Sequence, residues 1–221
     1  MNKLFKIFYF SLLICLILFF FLKDVNLVFY KNIKDIENPN DILVLVNKNN
    51  KLLQNFIPEN LETIDIKYSN EGKMLKKVAK EAFEKLSSDA LKLGYKIVAV
   101  SAYRDFSYQE NLFNYYVEKY GEDYALNCSA KAGHSEHQTG LAVDVMGSNN
   151  SYDDFELSDE FEWMINNAYK YGFILRYPKN KEKITGFKYE PWHYRYVGVE
   201  VAKIIYENKI TLEEYLKGDY D

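Results

Sequence analysis

Cysteine is scarce: Cys15 and Cys128 are the only two in 221 residues, and Cys15 lies inside an apolar N-terminal run. A disulfide framework is therefore excluded, and stability must come from a hydrophobic core or a bound metal. An excess of basic residues is also lacking, with 28 Lys and Arg against 32 Asp and Glu, and every acidic residue follows position 23. Setting aside Lys3, Lys6 and Lys23 leaves 25 basic residues facing 32 acidic ones. Nothing in such a body offsets its repulsion of a polyphosphate backbone, which argues against nucleic acid as a partner. No internal repeat period is present. What the chain does have is ordinary globular composition, 48% hydrophobic and 27% charged, which rules out wholesale disorder. Its 20 Tyr, 15 Phe and 2 Trp are enough aromatic bulk for a buried core.

From Ile7 to Leu22 the only polar residue is Ser11. Lys3 and Lys6 precede this run and Lys23-Asp24 closes it. The run is short for a membrane span, but Leu4, Phe5 and the snorkelling stems of Lys6 and Lys23 lengthen it. The following FFFLKDVNLVFY offers no small-residue cleavage site, and Cys15 follows Leu-Ile rather than the small residue of a lipoprotein signal. The expectation is an uncleaved anchor over 1–23, a stalk over 24–40 and a globular domain over 41–221. The basic end then stays in the cytoplasm and residues 24–221 lie outside.

In the soluble part, Asp41–Val46 (DILVLV) reads as a short strand. From Lys73 a helical period sets in, with Leu75, Val78, Ala79, Ala82, Phe83 and Leu86 on one face. Lys96–Ser101 reads as a buried strand and Ser107–Tyr120 as a second helix. A Gly-containing loop, Ala132–Gly140, leads into a strand over Leu141–Met146. A helix begins at Ser158 and ends near Gly172, followed by a strand-like Phe173–Tyr177. A last strand around Phe187–Tyr194 precedes a helix over Gly198–Asn208, and Thr211 with Glu214 forms a capping box. Short alternating strands and helices point to an α+β fold with a small sheet.

There are three histidines, His134, His137 and His193. His137 and Asp144 flank the turn at Gly140, and alternation along LAVD sends Ala142 and Asp144 to one face. An acid in so apolar a strand must be solvated, paired or bound to a cation. A hydrogen-bonded Asp–His pair is the plain alternative. His193 completes a His–Asp–His set, which suits a catalytic zinc with three protein ligands and an open fourth position. Glu190, three residues before His193, is placed to serve as general base. Pro191 excludes a regular helix through Glu190–His193, so this is not the helical HExxH arrangement. Arg104, at the exit of the Lys96–Ser101 strand, offers a permanently charged fork for a carboxylate or an oxyanion, and Gln109 offers an amide. An Arg in that position is otherwise a surface ion pair.

SAYRDFSYQ, GHSEHQTGLAVD and EPWHYRYVG, in that order and spacing, resemble the motifs of the VanY-type D-alanyl-D-alanine carboxypeptidases. These belong to the zinc-dependent M15 peptidases, whose domain is related in fold to the Hedgehog signalling domain. The resemblance covers roughly residues 40–210, and three linked motifs are far more specific than one. It implies a small antiparallel sheet flanked by helices. It also implies that His137, Asp144 and His193 bind one zinc, that Glu190 is the catalytic base, and that Arg104 holds the substrate carboxylate or polarises the scissile carbonyl. Ser135, Gln109, Tyr177 and Trp192 match positions that line the substrate pocket in similar enzymes. His134 falls where the pattern is not restrictive and reads as a support behind the ligands or as loop packing, not as a ligand itself.

The activity so implied is removal of the C-terminal D-alanine from peptidoglycan stem peptides, at an outer membrane face where such peptides lie. Similar enzymes include L,D-carboxypeptidases and endopeptidases, which pocket shape separates. A membrane-tethered wall-binding module with a structural metal is the non-enzymatic alternative, though a structural zinc needs no Glu190. A metal-free domain whose histidines merely pack is the third.

Overall fold

Alternation within two short segments, AVDVM and HYRY, sets the two faces of the sheet at the centre of the fold. The computed structural model describes residues 29–147 and 151–218. The apolar run expected to anchor the chain, 1–23, lies outside these residues, and among them no helix is long and apolar enough to cross a membrane. Strands β1 (Lys34–Asp35) and β2 (Asn50–Lys51) form a parallel pair, and β3 (Leu61–Thr63) and β4 (Met74–Lys76) an antiparallel one. Helix α1 (Lys77–Lys92) follows, then β5 (Val98–Ser101), α2 (Phe106–Tyr120), α3 (Glu122–Cys128) and β6 (Ala142–Met146). The remainder is α4 (Asp159–Asn167), β7 (Phe173–Leu175), α5 (Glu182–Thr185), β8 (His193–Tyr196), α6 (Val199–Asn208) and α7 (Leu212–Lys217).

The central sheet has the order β5-β6-β8-β7, antiparallel throughout. One face carries Val143, Val145, Tyr194 and Tyr196, which join Ala79, Phe83 and Leu86 of α1 and Met164 of α4 in the main core. The apolar period of α1 thus has a sheet to cover. The other face carries Asp144, His193 and Arg195, all buried yet polar. The sheet therefore stabilises the fold with one side and displays chemistry on the other. This is the expected α+β fold with a small antiparallel sheet.

Three local expectations change. Asp41–Val46 forms no strand, although Val44 and Val46 are buried. The carbonyls of Ile42 and Val44 accept hydrogen bonds from Arg195 Nη2 at 2.8 Å each, so a side chain takes the place of a sheet partner. The helix expected from Lys73 begins at Lys77, because Met74–Lys76 pairs with β3, and Val78 is exposed. The last strand is His193–Tyr196 rather than Phe187–Tyr194. Pro191 holds Glu190–His193 in a turn, closed by the His193 amide donating to the Glu190 carbonyl at 3.2 Å, which delays the strand. The capping box of Thr211 and Glu214 is present at the start of α7.

The described part of the 24–40 segment lies against the body. Lys34–Asp35 pairs with β2, and the Tyr30 hydroxyl accepts from the Lys131 amide at 3.2 Å. His134 packs here too: its Nδ1 lies 2.9 Å from the Asn47 carbonyl and Tyr30 meets its ring edge-on.

Candidate metal centre and active site

Asp144 and His193 are opposite one another across β6 and β8, so their side chains leave the sheet on the same face. Ser101 is opposite Asp144 on the other side, beyond a bulge between Ala99 and Ser101. The bulge turns the chain so that the Ala102 carbonyl accepts a 2.6 Å hydrogen bond from His137 Nδ1. His137 itself stands on a 3₁₀ turn, Glu136–Thr139, capped by the Ser135 hydroxyl and ended by Gly140 in the left-handed region.

With its proton on Nδ1, His137 presents the Nε2 lone pair to Asp144 Oδ1, 3.3 Å away. The same oxygen is 3.0 Å from His193 Nδ1. One donor atom from each of the three residues lies within 4.8 Å of the others, and all three residues are buried. Ligands around a tetrahedral zinc stand about 3.4 Å apart for bonds near 2.1 Å. Two imidazoles and one carboxylate converging at that spacing fit a divalent cation.

The charges agree with so tight a cluster. Burial alone would raise Asp144, but the neighbouring imidazoles reverse this and hold its carboxyl well below its usual range. Burial, with Arg104 adding to it, lowers His137 to about 4. At His193 burial works the same way, yet the Asp144 and Glu136 carboxylates beside its two ring nitrogens overcome it and raise the imidazole to about 9. Glu190 Oε2 is 3.8 Å from His193 Nδ1, and burial pushes its carboxyl up to about 7. A carboxyl near neutrality beside a cation site is suited to taking and returning a proton.

Arg104 extends over the cluster with Nη1 3.5 Å from Asp144 Oδ2. Its fork is fixed by donation to the Ser101 hydroxyl at 2.8 Å and to the Gln109 amide oxygen at 3.0 Å. Gln109 departs from the expectation. It is buried, and its amide nitrogen is spent on Ser129 Oγ and the Ala130 carbonyl, so it orients Arg104 instead of facing a ligand. Ser135, Tyr177 and Trp192 do line the cavity above the cluster, which measures about 700 Å³. Tyr177 packs against His193 with ring centres 4.8 Å apart and planes tilted by 36°. Trp192 meets Tyr152 edge-on at 5.0 Å.

Glu136, Arg176 and Arg195 were not singled out in the sequence, yet they are completely buried behind His193. Arg176 Nε and Arg195 Nη1 both donate to Glu136 Oε1, and Arg176 also makes a two-point contact with Glu213. The alternation of HYRY was the available signal, because it places Arg195 on the face of His193.

A buried His–Asp–His cluster with a carboxyl of raised pKa beside it, at the floor of a cavity, defines a metallopeptidase type of site. The family model for VanY D-alanyl-D-alanine carboxypeptidases matches residues 72–199, and the chain belongs to this family. The putative carboxypeptidase YodJ of Bacillus subtilis is 45% identical over 195 residues, covering 84% of this chain and 70% of its own. The LdcB LD-carboxypeptidase, solved to explain peptidoglycan recognition, is similar with a TM-score of 0.79 and 43% identity, over 85% of this chain and 91% of its own. A mutant of the vancomycin-resistance D,D-pentapeptidase VanY, solved with Zn(II), has a TM-score of 0.68 and 33% identity, over 79% of this chain and 98% of its own.

Proposed function

We propose that this protein is a zinc carboxypeptidase that removes the C-terminal D-alanine from peptidoglycan stem peptides, cleaving the D,D bond of the pentapeptide. The observation that carries the reading is the convergence of His137, Asp144 and His193 beside Glu190. The Zn(II) complex of the similar VanY supports zinc as the ion those three residues would hold. Zinc bound there would acidify water and polarise the scissile carbonyl.

The chain's own residues do the rest. Glu190 takes a proton at its carboxylate and delivers it to the leaving amine. Arg104, held by Ser101 and Gln109, sets a fixed positive fork where charge develops on the carbonyl oxygen. Tyr177, Ser135 and Trp192 wall the cavity and orient the terminal residue.

A second reading, an L,D-carboxypeptidase acting on the tetrapeptide, draws support from the LdcB likeness, which exceeds the VanY likeness in both identity and TM-score. Incubating the full-length protein with purified pentapeptide and tetrapeptide muropeptides, read by mass, separates the two. Loss of one alanine from pentapeptide alone supports the D,D reading, and loss from tetrapeptide alone replaces it. Loss from neither overturns both.

The same proposal places the domain outside the cell membrane, tethered through residues 1–23. The apolar run between Lys6 and Lys23 and a substrate found outside the membrane support this placement. Recovery of the full-length chain in the membrane fraction, with its domain digested by protease added outside spheroplasts, tests it.

A further inference from the structure

The two oxygens of Glu136 are used differently. Oε1 accepts from Arg176 Nε at 2.8 Å and from Arg195 Nη1 at 2.7 Å. Oε2 receives neither guanidinium and lies 3.5 Å from His193 Nε2, and among the described residues neither of these two atoms has another hydrogen-bond partner. Both are buried, where an unmade hydrogen bond is costly, so each is the other's natural partner. A carboxylate that served only to neutralise two arginines would gain by sharing both oxygens with them.

A neutral imidazole carries one N–H. A cation at the site takes the lone pair of Nδ1, the atom that otherwise lies 3.0 Å from Asp144 Oδ1, and the one remaining ring proton is then on Nε2, directed at Glu136. The opposite tautomer would set a lone pair against a carboxylate and an N–H against a cation. We propose that Glu136 is a positioning residue for the metal centre, holding His193 in its Nε2–H tautomer so that Nδ1 is presented to the cation. This inference rests on the metal reading given above.

The carboxylate is in turn held from behind. Arg195 is tied to the Ile42 and Val44 carbonyls, and Arg176 to Glu213 of α7. Tyr177 covers one face of the His193 ring, which leaves the imidazole little freedom to flip. The set is a second layer of support behind the ligands of the kind that raises ligand basicity and fixes ring orientation.

Two measurements on the full-length chain in detergent test the role. In zinc-loaded wild type with ¹⁵N-labelled histidine, long-range ¹H–¹⁵N spectra should show His193 protonated on Nε2, with that proton slow to exchange with solvent. Competition with a chromogenic chelator should show zinc held about 10–100-fold more weakly by Glu136→Gln than by wild type. Glu213→Gln, which disturbs Arg176 but leaves Glu136 facing His193, should bind zinc like wild type. Zinc bound through Nε2 of His193, or a folded Glu136→Gln with unchanged affinity, overturns the role of Glu136 and leaves the metal reading standing. A wild-type chain that binds no zinc overturns both. Should Glu136→Gln fail to fold, the wild-type spectrum decides alone.

Discussion

Asp144 faces His193 across the β6–β8 ladder, and a single oxygen of its carboxylate approaches both His193 Nδ1 and His137 Nε2. A slip of one residue in that register would send Asp144 into the apolar core and Val143 or Val145 into the site. Strand pairing and ligand geometry are thus one constraint.

Because the three convergent donors come from a 3₁₀ turn and two strands, a metal bound between them should stabilise the whole fold. Titration of chelator-treated protein should saturate at about one zinc per chain. At zinc a thousandfold above Kd the gain is about 4 kcal/mol, which calorimetry would read as a rise in Tm of roughly 8–16 °C. Asp144→Asn should lose most of this rise.

Glu190 neighbours the cluster without belonging to the three convergent donors. Glu190→Gln should therefore keep one zinc and a wild-type zinc-dependent Tm, while kcat on muropeptides falls by about 10²–10⁴. Activity within tenfold of wild type would remove Glu190 from the role of base.

Arg104 reaches the cluster as a braced fork, with Nε on Gln109 and Nη1 on Ser101. Lysine keeps the charge but cannot make both contacts. Arg104→Lys should lower kcat by about 10²–10³ with little change in KM. Gln109→Leu, which only frees the fork, should act in the same direction and more weakly. A rise in KM alone would make Arg104 a holder of the substrate carboxylate.

The convergence of His137, Asp144 and His193 with Glu190 and Arg104 beside them was legible in the sequence because chemistry restricts such residue types and the turns at Gly140 and Pro191 restrict their spacing. The layer behind them was not. Glu136 in SEH, Arg176 in LRYP and Arg195 in HYRY read as ordinary polar positions, and only the packing of distant segments shows that they meet in the interior. The same packing hid the fate of Asp41–Val46, whose strand-like composition serves burial while its carbonyls serve Arg195. Gln109 was found by its motif, but its work on Arg104 depends on where α2 lies against Ala130.

Gly140 ends the turn that carries His137, with φ at +69°. A Cβ there would stand 2.9 Å from Leu61 Cδ2 and 3.2 Å from the Lys76 backbone nitrogen. The left-handed backbone alone costs a non-glycine residue about 1–3 kcal/mol, so Gly140→Ala should lower stability by at least that much in denaturant titration. Its zinc affinity should fall as well, because the turn positions His137 in the candidate metal cluster.

Glu214 links α7 to the body through Lys181 and caps the helix through the Thr211 amide. Burial opposes its charge, but these hydrogen bonds prevail and its carboxyl lies below the ordinary value of 4.5. An acid depressed in the folded state adds stability above its unfolded pKa and loses it as pH falls through the folded one. Glu214→Gln should therefore be less stable than wild type by about 0.5–1 kcal/mol at pH 7, a modest figure for a partly exposed ion pair. That deficit should shrink as pH drops below 4.5, where wild type gives up the same charge. Chemical denaturation of both proteins across pH 7 to 3 gives the measurement, and a deficit that grows in acid would show that Lys181 and Thr211 do not stabilise the ionised form.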